Sequence, residues 1–202
     1  GDDLVHGGAG NDLVSGAGVS DTLYGDAGRE ALAGGTGGHL FPAEALSVAL
    51  AARGCTVDLV TDERAEKYGR AFPARATHIV SSATIGSKNP LDLARAAWRL
   101  GGGYLSSRGL MRRLRPVAVV GFGGYPTLPP MFAATQVGVP TIIHDQNAVM
   151  GRANRQLSTR VTAIATSFPG VLDGNPTLAA KATFTGNPVR PMVIEAAAQP
   201  YD

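Results

Sequence analysis

Cysteine is almost absent from this 202-residue chain: Cys55 is the only one, so no internal disulfide can form. Standing just before a strand-like run, it reads as a small buried hydrophobe and not as a reactive thiol. No apolar run approaches the roughly 20 residues of a membrane span, which argues against an integral membrane protein. No positively charged stretch followed by an apolar core opens the chain, so no signal peptide is visible, and a start at Gly1 instead of Met makes a fragment the expectation. There is no H-E-x-x-H motif and no Cys/His cluster to suggest a metal centre, and no G-x-S-x-G to suggest a serine hydrolase. What remains, 44% hydrophobic and 17% charged residues, is the balance of a globular protein long enough to bury a sizeable core.

The net charge of +2 conceals two unlike pieces. Residues 1–33 hold six acids (Asp2, Asp3, Asp12, Asp21, Asp26, Glu30) against Arg29 alone, net −5, whereas the remainder holds seventeen bases and ten acids, net +7. Such a split suggests segments with different partners. The acidic piece repeats every nine residues: Gly7 to Ser15 is followed by Gly16 to Tyr24, and Gly1 to His6 fits the tail of an earlier copy. In this G-G-x-G-x-D-x-U-x pattern, glycines permit a tight turn with carbonyls facing a cation, Asp12 and Asp21 supply hard anionic oxygens, and the apolar residue packs inside. The pattern resembles the RTX nonapeptide of calcium-binding parallel β-rolls. Two full copies and a partial one imply at most one weak Ca²⁺ site, or else a glycine-rich acidic tail. The period decays through Gly25 to Ala33 and meets a second glycine motif at Gly34, where a fusion, rearrangement or assembly artefact is suspected.

From Gly34 onward, strand and helix alternate. Short β-branched runs at Thr56 to Val60, Thr77 to Ser81, Val117 to Gly121, Pro140 to His144, Val161 to Thr166 and Ala182 to Thr185 predict buried parallel strands. Between them, helices are predicted over Pro42 to Arg53, Pro90 to Leu100, Ser106 to Leu114, Pro130 to Val137 and Gly151 to Leu157. The alternation predicts an α/β, Rossmann-like doubly wound parallel sheet over residues 34–202, with ligands at the carboxyl ends of its strands.

Three motifs carry the chemistry. Gly34-Gly35-Thr36-Gly37-Gly38-His39 precedes an apolar helix, and such a loop brings backbone N–H groups and the positive end of the helix dipole to an anion. It is not a P-loop, since no Gly-Lys-Ser/Thr follows. Asp62, at the end of a strand, keeps a nucleotide-binding Rossmann domain as an alternative. Gly121-Phe122-Gly123-Gly124-Tyr125 makes a second loop after a strand, and two such loops together suggest a cleft for a diphosphate. In His144-Asp145-Gln146-Asn147, a strand turns abruptly polar: Gln146 and Asn147 suit sugar hydroxyls, and Asp145 suits orienting a neighbour or taking a proton. As a bland alternative, the four residues only cap the helix that follows.

In order and spacing, G-G-T-G-G-H-x-F-P-A, G-x-G-G-Y, I-H-D-Q-N-A-x-x-G-x-x-N-R, S-F-P-G (Ser167 to Gly170) and T-G-N-P-V-R (Thr185 to Arg190) resemble the N-terminal domain of the MurG-type glycosyltransferases, over about 170 residues from Gly34. The resemblance implies the N-terminal half of a GT-B fold, which binds lipid-linked muramyl-pentapeptide, the acceptor of peptidoglycan biosynthesis. A second domain, not expected within these residues, would bind UDP-N-acetylglucosamine. The implied reaction transfers N-acetylglucosamine without a metal or other cofactor, at the cytoplasmic face of the bacterial inner membrane, so this chain alone is expected to be inactive. The implied site comprises Thr36, Gly37, Gly38, Gly123, Gly124, Tyr125, Gln146, Asn147 and Arg190 for substrate, with His39 as general base and Asp145 as runner-up. Histidine ordinarily titrates near neutral pH, which suits the role. Three departures stand out: the family usually has Glu at position 145, Pro-Thr-Leu-Pro-Pro follows Tyr125 in place of a Ser-Gly-Pro stretch, and where the family has an apolar strand before the first glycine loop, Arg29-Glu30-Ala31-Leu32-Ala33 leaves only three apolar residues, so that a central strand is expected to be short or missing.

The stretch from Lys88 to Arg115 mixes Leu91, Trp98 and other apolar residues with Arg95, Arg99 and four further arginines. A basic helix bearing an aromatic suits an anionic membrane surface, so Leu91, Arg95, Trp98 and Arg99 are the predicted membrane contacts, with Trp98 in the core as the alternative. Nucleic acid is not an expected partner, because no aromatic-interleaved RNA motif accompanies the arginines. From a different functional class, the repeats alone suggest a secreted calcium-binding module.

Overall fold

The computed structural model describes residues 4–6, 22–24, 29–33, 37–63, 72–83 and 89–199. Seven strands form one all-parallel sheet: β3 (Arg29–Ala33), β4 (Thr56–Thr61), β5 (Ala76–Ile79), β6 (Ala118–Gly121), β7 (Thr141–Asp145), β8 (Ala163–Thr166) and β9 (Ala182–Phe184), in the order β5-β4-β3-β6-β7-β8-β9. The direction of strand succession reverses between β3 and β6, and in a doubly wound sheet that reversal opens a crevice at the carboxyl ends. Two short strands, β1 (Leu4–His6) and β2 (Thr22–Tyr24), pair parallel apart from this sheet. Leu4 faces Thr22, eighteen residues on, which is the stagger of a coil holding two nine-residue repeats per turn.

Alternate residues of each strand point to opposite faces, and two cores result. On one face Ala31, Val60, Val119, Ile143 and Ile164 meet α2 (Pro90–Leu114), α3 (Leu128–Val137) and α4 (Arg152–Leu157), through residues such as Met111, Met131 and Leu157. On the other, Leu32, Leu59, Val120 and Phe122 pack against Leu40 and Ala43 of α1 (Gly37–Ala51). Two short helices, α5 (Pro176–Ala179) and α6 (Pro191–Ala197), complete the set, the latter with no buried residue. Among the described residues, no helix is long and apolar enough to cross a membrane.

Three expectations change. The doubtful strand exists: β3 sits at the centre of the sheet, bonded to β4 and β6, with Ala31, Leu32 and Ala33 fully buried. Its polar start is accommodated, because Arg29 donates to the carbonyl of Leu114 at the end of α2 (2.9 Å). The sheet therefore takes in residues that the repeat frame assigned to the acidic segment. Second, the two helices expected at Pro90 to Leu100 and Ser106 to Leu114 are one, running through Gly101-Gly102-Gly103. A Cβ on Gly103 would lie 1.9 Å from the Ser81 carbonyl oxygen, so this glycine permits helix and loop to touch, although glycine is a poor helix former. Third, Cys55 is half-buried and its thiol bonds Glu30, whose carboxyl is pushed up by burial; it is not a core hydrophobe.

Candidate functional site

Ala33 and Gly121 are partners at the ends of β3 and β6, and Gly121 in turn pairs with Ile143 of β7. The three motifs therefore leave from three adjacent strands. Thr36 lies outside the described residues, as do Asp12 and Asp21, while Gly37 and Gly38 form the first turn of α1. This helix starts five residues before Pro42, the expected start, and so carries His39 in its first turn, half-buried. Gly123 and Gly124 have φ of +89° and +79°, left-handed values that favour glycine. A Cβ on Gly123 would lie 3.3 Å from Asn154 Nδ2 and 3.5 Å from His39 Cε1, so the second loop threads between the other two motifs. Tyr125 follows, half-buried, at the start of a single 3-10 turn, Tyr125–Thr127.

The end of β7 holds a hydrogen-bond network centred on Asp145, in which the buried Asn154 Oδ1 is left without a partner among the described residues. Asp145 is buried, with Oδ1 accepting from the Asn147 amide (3.0 Å) and Oδ2 from the Gly151 amide (2.9 Å) and Asn154 Nδ2 (2.9 Å). Asn154 also donates to the carbonyl of His144 (3.1 Å). A carboxylate bonded in this way through both oxygens shapes the turn. Its two backbone partners precede α4, whose own start at Gly151 has no side-chain cap hydrogen bond.

Gln146 behaves differently. Its Oε1 is 3.0 Å from His39 Nδ1, and its Nε2 is 3.1 Å from His144 Nδ1 and 3.3 Å from the His144 carbonyl. The Nε2 of His144 reaches the carbonyl of Gly186, 3.0 Å away, and its ring tilts against that of Phe122. Burial draws the His144 pKa below the ordinary range, outweighing the Gly186 carbonyl and the Asp145 charge, which pull it up. Asn147 is exposed, and its side chain has no hydrogen-bond partner among the described residues. Arg190 lies over the Phe41 ring, 4.1 Å from its centroid, and 3.7 Å from Glu44, which ties the C-terminal segment to α1. His144, Asn154 and the Gly186 carbonyl were not singled out as site groups in the sequence; the polar break at the end of β7 was the one available signal.

Two other groups lie elsewhere. Asp62 is buried and accepts from Ser82 Oγ (2.7 Å) beside a cavity of about 450 Å³ that Arg95 and Arg99 also line, so its carboxylate is already engaged. The first half of α2 exposes Leu91 and Trp98, the latter 85% accessible, which removes the alternative of a core tryptophan.

Comparison with known proteins agrees with this architecture. One relative, the UDP-N-acetylglucosamine--N-acetylmuramyl-(pentapeptide) pyrophosphoryl-undecaprenol N-acetylglucosamine transferase of Sinorhizobium medicae, is 63% identical over 169 residues, 84% of this chain and 45% of that protein. The enzyme of the same name from Rhodopseudomonas palustris is 60% identical over the same shares. A crystal structure of Acinetobacter baumannii MurG superposes with a TM-score of 0.65 at 28% identity, covering 80% of this chain and 46% of that one. A UDP-N-acetylglucosamine 2-epimerase from Rickettsia bellii, 12% identical with a TM-score of 0.60, shares the fold alone. The chain spans about half the length of the curated relatives it matches. The profile of the glycosyltransferase family 28 N-terminal domain matches residues 31–166, two thirds of the sequence, and the chain belongs to that family.

Proposed function

We propose that this chain is the acceptor-binding half of an enzyme that transfers N-acetylglucosamine from UDP-N-acetylglucosamine to lipid-linked muramyl-pentapeptide in peptidoglycan biosynthesis. The observation that carries the reading is the meeting of His39, the Gly123 loop and Gln146 at the ends of three adjacent strands, in a chain whose close relatives bear that activity in their names. In the proposed reaction, the acceptor hydroxyl gives its proton to His39 Nε2 as its oxygen bonds to the anomeric carbon, and the diphosphate leaves with the electron pair of the broken bond. Asn147 and Tyr125 would hold acceptor hydroxyls, and the glycine loops would face the acceptor's diphosphate. The donor would bind to the half of the relatives that lies outside these residues, and the transfer calls on no metal. The first half of α2, with Leu91, Arg95, Trp98 and Arg99, would rest on the anionic inner leaflet, as a peripheral contact.

Isothermal titration with a soluble analogue of the lipid-linked acceptor tests the reading. Binding that is lost in both His39→Ala and Asn147→Ala is the expected result; absence of binding, or binding indifferent to both substitutions, would sink it. Without the donor-binding half, the chain is expected to form no labelled disaccharide, because half a cleft cannot stabilise the departing diphosphate. The N-terminal repeats carry a separate proposal of weak calcium binding through Asp12 and Asp21, favoured by the two-repeat stagger of β1 and β2. Circular dichroism that does not change across millimolar calcium would remove it.

A further inference from the structure

Two histidines from opposite ends of the domain are joined through a single amide, and the chemistry of the flanking carbonyls fixes which atoms carry hydrogen. At the far end, the Gly186 carbonyl lies 3.0 Å from His144 Nε2. A carbonyl can only accept, so this nitrogen carries the proton, and in the neutral ring Nδ1 is left with its lone pair. Burial favours that neutral form. Gln146 Nε2 then faces two acceptors, His144 Nδ1 at 3.1 Å and the His144 carbonyl at 3.3 Å, one for each of its hydrogens. Rotating the amide by half a turn would set its oxygen against both, so the amide has one acceptable orientation. Its Oε1 must therefore point at His39 Nδ1, 3.0 Å away, and since Oε1 only accepts, His39 Nδ1 carries the hydrogen.

We propose that Gln146, held by His144 and through it by the Gly186 carbonyl, is a positioning residue that imposes the Nδ1–H tautomer on His39 and so leaves the Nε2 lone pair available to accept a proton. The proposal rests on the reading of His39 as the general base and assigns Gln146 a part other than binding sugar. An unconstrained imidazole populates both neutral tautomers, and only one of them presents its lone pair at Nε2. Once Nε2 has taken a proton, the Nδ1–H bond to Oε1 persists, so the ring need not rotate during the reaction. His39 Nε2 itself has no hydrogen-bond partner among the described residues.

The test is spectroscopic and needs no turnover. In the full 202-residue chain, labelled with ¹⁵N in its four histidine rings, long-range proton–nitrogen correlation spectra at neutral pH report the tautomer of each ring. Single His→Gln variants assign the signals. The expected pattern is Nδ1–H at His39 and Nε2–H at His144. Gln146→Ala should let His39 average between tautomers, whereas Asn147→Ala, which leaves the Gln146 amide in place, should retain Nδ1–H at His39. A merely structural glutamine would not yield that ordering. Nε2–H at His39 in the unsubstituted chain overturns the proposal without any variant, and so does a His39 tautomer that Gln146→Ala leaves in place. Should Gln146→Ala fail to fold, the parent spectrum still decides, and Gln146→Met, which keeps the length of the side chain without its amide, should give the same averaging. Titrating the same sample with the acceptor analogue separates the two questions: the expected tautomers without binding overturn the acceptor reading alone, and binding with the wrong tautomer overturns the tautomer control alone.

Discussion

The turn after β7 and the first half of α2 are opposites in how they are held. In the turn, Asp145, Gln146 and Asn154 bond one another's neighbours, and both Asp145 and Asn154 are buried. Along Pro90 to Leu100 only Ala96 is buried, while Leu91, Leu93 and Trp98 stand in solvent. A group that must present one lone pair in one direction needs a frame of hydrogen bonds that restrains it, as Gln146 is restrained by His144. The membrane contact proposed for this helix calls for the reverse, apolar and basic side chains with nothing yet packed on them. The same domain thus places its ordered polar groups at the strand ends and its unpacked apolar ones on a helix anchored by its other half.

The largest effect expected from breaking this contrast is at Asp145. Asp145→Ala removes three hydrogen bonds, one of them from the buried Asn154 amide, and should lower stability by about 3 kcal/mol, read from urea denaturation. A loss below about 1 kcal/mol would mean that the turn is not held as described. At the junction between the two regimes in α2, Gly103→Ala would drive a Cβ into the Ser81 carbonyl and should cost about 2 kcal/mol.

Acid should sharpen the comparison by loosening the turn alone. The folded-state pKa of His144 lies below that of the unfolded chain, about 6.5, so the unfolded state takes up the proton first. The stability linked to His144 is complete above that value. It falls as the pH drops from there towards the folded pKa, by at most about 1.4 kcal/mol per pH unit. Denaturation midpoints compared between pH 7.5 and 5.5 should show a steeper acid loss in the parent chain than in His144→Gln, and equal slopes would refute it.

Smaller effects, of opposite sign, are expected in the first half of α2. Gly101→Ala and Gly102→Ala each add a Cβ that meets nothing within 4 Å, so each should stabilise the chain by about 0.5–1 kcal/mol. Trp98→Ala should leave the urea midpoint almost unchanged, within about 0.5 kcal/mol, since the side chain is exposed. The same variant should bind anionic vesicles less well in sedimentation, with binding of the parent falling as salt rises. Vesicle binding unaltered by the substitution would show that this surface serves something else.

The periodic content of the chain was legible in its residues. β-Branched runs and apolar stripes marked the strands from Thr56 onward and the longer helices, because a fully buried strand and an amphipathic helix each need their own spacing of apolar residues, while the short α5 and α6 went unmarked. The second glycine motif marked the end of β6, where the left-handed backbone at Gly123 and Gly124 restricts the choice of residue. Sequence reading failed at β3 because its first two residues are charged; only the fold shows that Arg29 reaches the carbonyl end of α2. It also failed at Gly101 to Gly103, where propensity argued for a break and contact with Ser81 and Pro129 made continuity possible.

What the sequence determined, then, was which residue types stand at the strand ends: two glycine loops, a histidine, and a polar tetrad. Tertiary structure decided their roles. His39 and Gln146 are 107 residues apart and His144 and Gly186 are 42 apart, and the hydrogen bonds between them depend on directions that no local pattern encodes. The identity of a side chain limits what it can donate or accept. Which partner it meets, and hence which nitrogen of a histidine keeps its lone pair, follows only once the sheet has brought distant strand ends side by side.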